Sequence, residues 1–128
     1  MAKKQRKIVL DTNIIFELLK ENEKHLNQVD VIDFQSLYVT SITVLETYYG
    51  MRVKEERKTK ELFNSIRKIS PDKEVFKKAE ELMFAHRGKR PQLPDCLIAA
   101  ICILDNCELY TLNVKDFDYL GVKIFKPL

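Results

Sequence analysis

Four carboxylates stand where the chain passes from an apolar run into a helix or turn. Asp11 ends the run Ile8-Val9-Leu10. Glu46 follows the run Ser36-Leu37-Tyr38-Val39-Thr40 by a few residues. Asp95 comes directly after Pro94, and Asp116 comes shortly after Glu108-Leu109-Tyr110-Thr111. In open parallel α/β sheets, ligands bind outside the carboxyl ends of the strands, so acids at these junctions can converge on one sheet edge. Carboxylates gathered there repel by about 4 kcal/mol per pair at roughly 4 Å and an effective dielectric near 20. Protonation or a divalent cation relieves that repulsion, and an oxygen-only set suits Mg²⁺ or Mn²⁺ rather than zinc. A cation held so polarises a phosphoryl oxygen and activates water, the chemistry of phosphodiester hydrolysis.

Each acid also has a purely structural reading. Asp11 is a natural helix cap, Asp95 a first-turn partner of a helix dipole, and Asp116 a turn residue. The chemical reading rests on the combination, four acids at strand ends or helix starts with apolar core beside each. No other catalytic arrangement competes, because His25 and His86 fall in ordinary helical stretches and no Ser/His/Asp or Cys/His set is apparent.

The elements that must position these acids follow from periodicity. Lys7 to Leu10 reads as a strand, and Ile14, Ile15, Leu18 and Leu19 then share one helical face. Asn22 to Val31 is expected to be a short helix with Leu26, Val29 and Val31 apolar. Ser36 to Thr40 is a second strand, and a helix starts at Ser41 or at Thr43, whose pairing with Glu46 matches a capping box. Tyr48 to Lys68 reads as helix interrupted at Gly50, a hairpin or arm with Leu62, Phe63 and Ile66 as its buried stripe. After Ser70-Pro71-Asp72, another helix carries Val75, Phe76, Ala79, Leu82 and Met83, and Gly88 is its expected end. Pro94 is expected as the first residue of a helix that is apolar nearly all round. Glu108 to Thr111 is a short strand, Asn113 to Asp118 a polar connection, and Val122 to Phe125 the last strand. Strands alternating with helices imply a single α/β domain over residues 1–128, with a parallel sheet of four to five strands flanked by helices.

Composition fits this reading. The chain has 128 residues, 45% hydrophobic and 32% charged, enough to bury a core without disulfides or a structural metal. Three glycines and four prolines leave little for long loops. No apolar run approaches the roughly 20 residues that span a bilayer, and no apolar segment backs the basic N-terminus, so a cytoplasmic location is expected. Cys96, Cys102 and Cys107 lack paired spacing and read as core thiols. The net charge is only +3, but Lys3, Lys4, Arg6, Lys7 and Lys20 crowd the first twenty positions, and residues 1–6 form a basic arm. Such an arm suits phosphates, though a solvated terminus explains it equally well.

The motifs together resemble the PIN domains, and especially their VapC-type toxin ribonucleases. The matching segments are Ile8 to Asn13, Ser41 to Glu46 with Gly50 following, Leu93 to Ala100, and Thr111 to Phe117. Each alone is weak; the four in order cover nearly the whole chain. The resemblance implies a Mg²⁺- or Mn²⁺-dependent endoribonuclease acting on RNA, often homodimeric and often inhibited by an antitoxin protein. Carried over by position, Asp11, Glu46 and Asp95 match the acids that hold the metal, and Thr12, Asn13, Ser41 and Thr111 match supporting polar positions. Many members have Asp two residues after the position of Thr111, where this chain has Asn113. Asp116 is then the nearest carboxylate for a fourth catalytic place, and one tightly held ion is expected. Arg87, Lys89 and Arg90, with Arg52, are the candidates for the RNA backbone, and Tyr48, Tyr49, Met51 and Val53 for a dimer contact.

Other readings remain open on sequence. A housekeeping RNA-processing nuclease would share the fold, and an antitoxin-like gene directly upstream would favour the toxin. A non-catalytic binding module would use the acids as caps and bind no cation. A haloacid-dehalogenase-like phosphatase is excluded by Asn13, where it needs a second Asp, and a receiver domain by the absence of an acid pair before Asp11.

Overall fold

The computed structural model describes residues 6–127. Its centre is a five-stranded sheet of β1 (Ile8–Leu10), β2 (Leu37–Thr40), β3 (Arg67–Ile69), β4 (Glu108–Tyr110) and β5 (Lys123–Ile124), ordered β3-β2-β1-β4-β5. Every neighbouring pair is parallel, with Ile8 opposite both Leu37 and Glu108. Side chains alternate across a strand, so Ile8 and Leu10 join one apolar layer and Val9 the other. Around the sheet, among the described residues, lie seven α-helices: α1 (Thr12–Leu19), α2 (Glu23–Val31), α3 (Ser41–Gly50), α4 (Glu56–Ser65), α5 (Lys73–Ala85), α6 (Leu93–Leu104) and α7 (Val114–Phe117). Buried residues of α1, α3 and α4 fill the first layer, and those of α5, α6 and α7 fill the second. The result is helix, sheet, helix.

The topology decides where a site can form. The chain moves outward from β1 to β2 and β3, then returns to the other side of β1 for β4 and β5. The order therefore reverses between β1 and β4, and a crevice opens beyond their carboxyl ends. Asp11 and Thr111 are the residues that leave those two strands.

Several local expectations are corrected. The stretch to Lys68 does not remain helical, because Arg67–Ile69 forms β3, a parallel edge strand beside β2. The α3–α4 hairpin itself is present, with Tyr48 edge-on to Phe63 at 5.8 Å between ring centres. The 113–118 connection contains α7 and leads into a 3₁₀ turn at Asp118–Leu120. Helix α3 is capped by Thr40, whose side chain accepts the Thr43 N–H at 3.1 Å, rather than by Ser41 or by a Thr43–Glu46 box. Helix α5 ends at Ala85 and Gly88 lies in a 3₁₀ turn, the left-handed residue there being Arg90 at φ 48°. Pro94 is the second residue of α6 rather than the first.

In α2 the fully buried residues are His25 and Gln28, Leu26 and Val29 pack partly buried against the core, and Val31 is exposed. His25 Nδ1 lies 2.8 Å from the buried Tyr110 hydroxyl, so this helix docks partly through a polar contact. Phe76 of α5 is likewise on the surface. All three cysteines are buried and free, and burial pushes the Cys107 thiol up to about 11. Residues 1–5 of the expected basic arm lie outside the described residues, but Arg6 is not loose: its guanidinium forks onto both Glu108 oxygens at 2.7 Å. Among the described residues, no helix is long and apolar enough to cross a membrane.

Candidate active site

Asp11 does two jobs at the head of α1. Its Oδ1 accepts the Thr12 N–H at 2.8 Å, the capping contact. Its Oδ2 accepts the Thr111 hydroxyl at 2.7 Å and the Asn13 amide at 3.1 Å. Cap and candidate ligand are therefore two oxygens of one carboxylate. The group is 5% exposed, and burial raises its pKa despite the lowering effect of the Thr111, Thr12 and Asn13 hydrogen bonds, with the Asp116 charge adding to the rise.

Asn13 and Thr111 fasten the two sides of the crevice together. The Asn13 amide also reaches Thr111 Oγ1 at 3.3 Å, and its carbonyl accepts the Leu112 N–H at 3.0 Å. Thr111 Oγ1 in turn accepts the Asn113 N–H at 3.0 Å. Asn113 thus enters through its backbone.

Glu46 is held from the opposite strand. Its Oε1 accepts the Thr12 hydroxyl at 2.7 Å, and Thr12 Oγ1 lies 3.1 Å from Thr43 Oγ1. Thr43 is fully buried, and its hydroxyl is 3.5 Å from that of Thr40, the α3 cap. A seam of threonines therefore runs from the end of β2 to the Glu46 carboxylate.

Asp95 lies in the first turn of α6, where Pro94 and the apolar body of the helix fix it against the sheet. Burial first, then the charges of Asp11, Asp116 and Glu46, push its carboxyl up to about 6. The other three acids are therefore within electrostatic reach of Asp95, with Asp116 on the exposed face of α7. They do not close on a point: among the described residues, no three His, Cys, Asp or Glu side chains are grouped tightly enough to enclose a metal ion. The donor set is nonetheless all oxygen, and the mutual repulsion that raises Asp95 is the deficit a hard divalent cation removes. In donor chemistry the residues present suit such an ion.

Not every candidate gathers here. Ser41 pairs its hydroxyl with that of Ser70, beyond β3, and bonds none of the acids. Arg52 begins the 3₁₀ turn after α3, its backbone N–H donating to Glu55 at 3.0 Å. Among the described residues no hydrogen bond or ion pair ties it to the acids. Arg87 donates to the Phe84 carbonyl at 2.7 Å and lies over the Phe84 ring, 4.3 Å from its centre. Lys89 lies 4.5 Å from the centre of the Tyr119 ring, while Arg90 is exposed.

Two residues were missed by sequence reasoning. Thr43 was read as a cap, and only its spacing of one helical turn from Glu46 could have suggested more. Burial, and after it the charges of Cys96, Asp116, Asp95 and Asp118, raise the pKa of Tyr119, whose ring meets His86 edge-on at 5.3 Å. Its place three residues after Asp116, one helical turn away, was the available sign.

Comparison with known proteins gives the same architecture. No curated protein matches the sequence. Among solved structures, FitAcB from Neisseria gonorrhoeae is 24% identical with a TM-score of 0.81, over 94% of this chain and 97% of that one. DNA-bound VapBC from Salmonella typhimurium is 21% identical, also with a TM-score of 0.81 and with coverage of 94% and 97%. VapC20 of Mycobacterium tuberculosis, a sarcin-ricin loop cleaving toxin, is 16% identical with a TM-score of 0.73, over 94% of this chain and all of that one. At these identities the likeness is one of fold. The PIN domain family model, in contrast, matches the sequence itself over residues 8–122, and the chain belongs to the PIN domain family.

Proposed function

We propose that residues 1–128 form one nuclease domain that hydrolyses RNA phosphodiester bonds with Mg²⁺ or Mn²⁺, as the toxin of a VapBC-type pair acting in the cytoplasm. One observation carries this reading: at the switch point of the sheet, burial and then the charges of Asp11, Asp116 and Glu46 push the Asp95 carboxyl up to about 6, an all-oxygen set whose repulsion a cation would relieve. Asp11, Asp95 and Glu46 would hold one cation. When bound, that cation supplies polarisation of a phosphoryl oxygen.

The chain's own residues do the rest. Thr111 and Asn13 keep Asp11 Oδ2 oriented, and Glu46, anchored by Thr12, positions the attacking water. Asp116 stands at the open rim and contributes charge without a fixed partner position, while Asn113 serves through its backbone. Lys89, Arg87, Arg90 and Arg52 would contact phosphates. Contacts of this kind position a strand without reading its sequence. The structural kinship with VapBC and FitAcB supports an antitoxin partner, and a homodimer is part of the same reading.

The test is cleavage of a mixed RNA pool by purified protein with Mg²⁺, with Mn²⁺ and with chelator, beside Asp11→Asn. Cleavage that needs the cation and disappears in the variant is the expected result. Absence of both cleavage and cation binding would overturn the proposal.

A further inference from the structure

We propose that Thr43 is a positioning residue for Glu46 and acts through the hydroxyl of Thr12. The inference rests on the reading of Glu46 as part of a cation site. It starts from proton counting. A threonine hydroxyl carries one proton, and an ionised carboxylate only accepts. With Glu46 Oε1 at 2.7 Å, the Thr12 proton is committed to Glu46. The 3.1 Å contact between Thr12 and Thr43 must then run from Thr43 to Thr12. Thr43 in turn receives from Thr40, whose hydroxyl lies 3.5 Å away and whose oxygen already accepts the Thr43 backbone N–H.

The seam thus has one direction, Thr40 to Thr43 to Thr12 to Glu46. Donors aligned in this way polarise one another, so the bond that reaches the carboxylate is stronger than an isolated one. It also has a fixed frame. Thr40 and Thr43 are both fully buried, and both belong to the first turn of α3 or its cap. Thr47, one turn on, donates its hydroxyl to the Thr43 carbonyl at 2.7 Å and is buried as well. Thr43 has no solvent route to another donor or acceptor. Glu46, by contrast, is only half-buried, and a glutamate on an open rim has several rotamers to choose from. What selects one is the Thr12 hydroxyl, and what orients that hydroxyl is Thr43.

The experiment measures Mn²⁺ binding by calorimetry for wild type, Thr43→Val, Thr43→Ala and Thr43→Ser, with melting temperatures for each. Valine keeps the shape and removes the hydroxyl, alanine removes both without crowding, and serine restores the hydroxyl. The expected result is a loss of about tenfold in Mn²⁺ affinity for the valine and alanine variants, the scale of outer-shell changes at metal sites. Serine should return the affinity to that of wild type. In a Glu46→Gln background, Thr43→Val should cause no further loss, because its effect passes through Glu46.

A wild-type affinity in folded Thr43→Val or Thr43→Ala would overturn the proposal. So would a serine variant as weak as valine, or a full additional loss in the double variant, either of which would assign the effect to packing. If wild type itself binds no Mn²⁺, it is the reading of the acids as a cation site that fails.

Discussion

Asp95 is the residue at which burial and like charge meet, and its energetics can be read without any substrate. A carboxylate whose folded pKa lies above its unfolded value binds more protons in the folded state between the two. The folded protein therefore loses stability as pH rises from about 4 through about 6, and the penalty is fully present at pH 7. A rise of that size would amount to about 3 kcal/mol if taken whole. The side chain is only partly buried, and solvent screening reduces the figure to about 1–2 kcal/mol. Without added cation, Asp95→Asn should accordingly be more stable than wild type by about 1–2 kcal/mol at pH 7, with the gain fading toward pH 4. Chemical denaturation at both pH values checks this. The same variant should cleave no RNA, since it removes a ligand charge. If it unfolds instead, Asp95 serves α6 as a dipole partner and not as part of a cation site.

At the scale of elements, what could be read from sequence was what the backbone period and a single neighbour determine. The strand–acid–helix junction at Asp11 was legible because Ile8, Val9 and Leu10 are apolar on both faces and the period then changes abruptly. So was α6, apolar nearly all round. Strand β3 was not, because an exposed three-residue edge strand carrying Arg67 and Lys68 has no apolar alternation to detect. Nor was the bond from Thr12 to Glu46, which joins residues 34 positions apart. The inward face of α2 was legible only in part: Leu26 and Val29 reach the core, but the two fully buried residues, His25 and Gln28, are polar. His25 meets the Tyr110 hydroxyl in a buried pocket beside Phe125. Removing one partner leaves the other without a hydrogen bond, at a cost of about 1–3 kcal/mol. His25→Ala should therefore lower stability by that amount while leaving cleavage per folded molecule unchanged, because the His25–Tyr110 contact includes none of the four carboxylates. A cleavage defect larger than the folded fraction explains would tie α2 to the site after all.

For the whole molecule, two of the apolar faces among the described residues ask what covers them. One lies on α3 and the turn after it, where Leu45, Tyr49 and Val53 stand out from the surface. The other is a groove of about 570 Å³ between α5 and α6, lined by Phe76, Met83, Phe84, Leu93 and Leu97, with Glu80 and Arg87 at its edge. Exposed apolar surface of this kind marks interaction sites. The sequence pointed to the Tyr48–Val53 stretch for self-association, but the shapes favour the groove. A two-fold interface must be self-complementary, since the same patch meets itself. The α3 face offers the exposed side chains of Leu45, Tyr49 and Val53. The groove offers a hollow together with a protruding Phe84, and a two-fold axis can bring Glu80 of one copy to Arg87 of the other. Sedimentation should therefore show a dimer for wild type and for Tyr49→Lys, and a monomer for Phe84→Lys, which places an unpaired charge in the centre of the contact. Dissociation by Tyr49→Lys instead would move the interface to α3, and a wild-type monomer at high concentration would leave both faces to other partners.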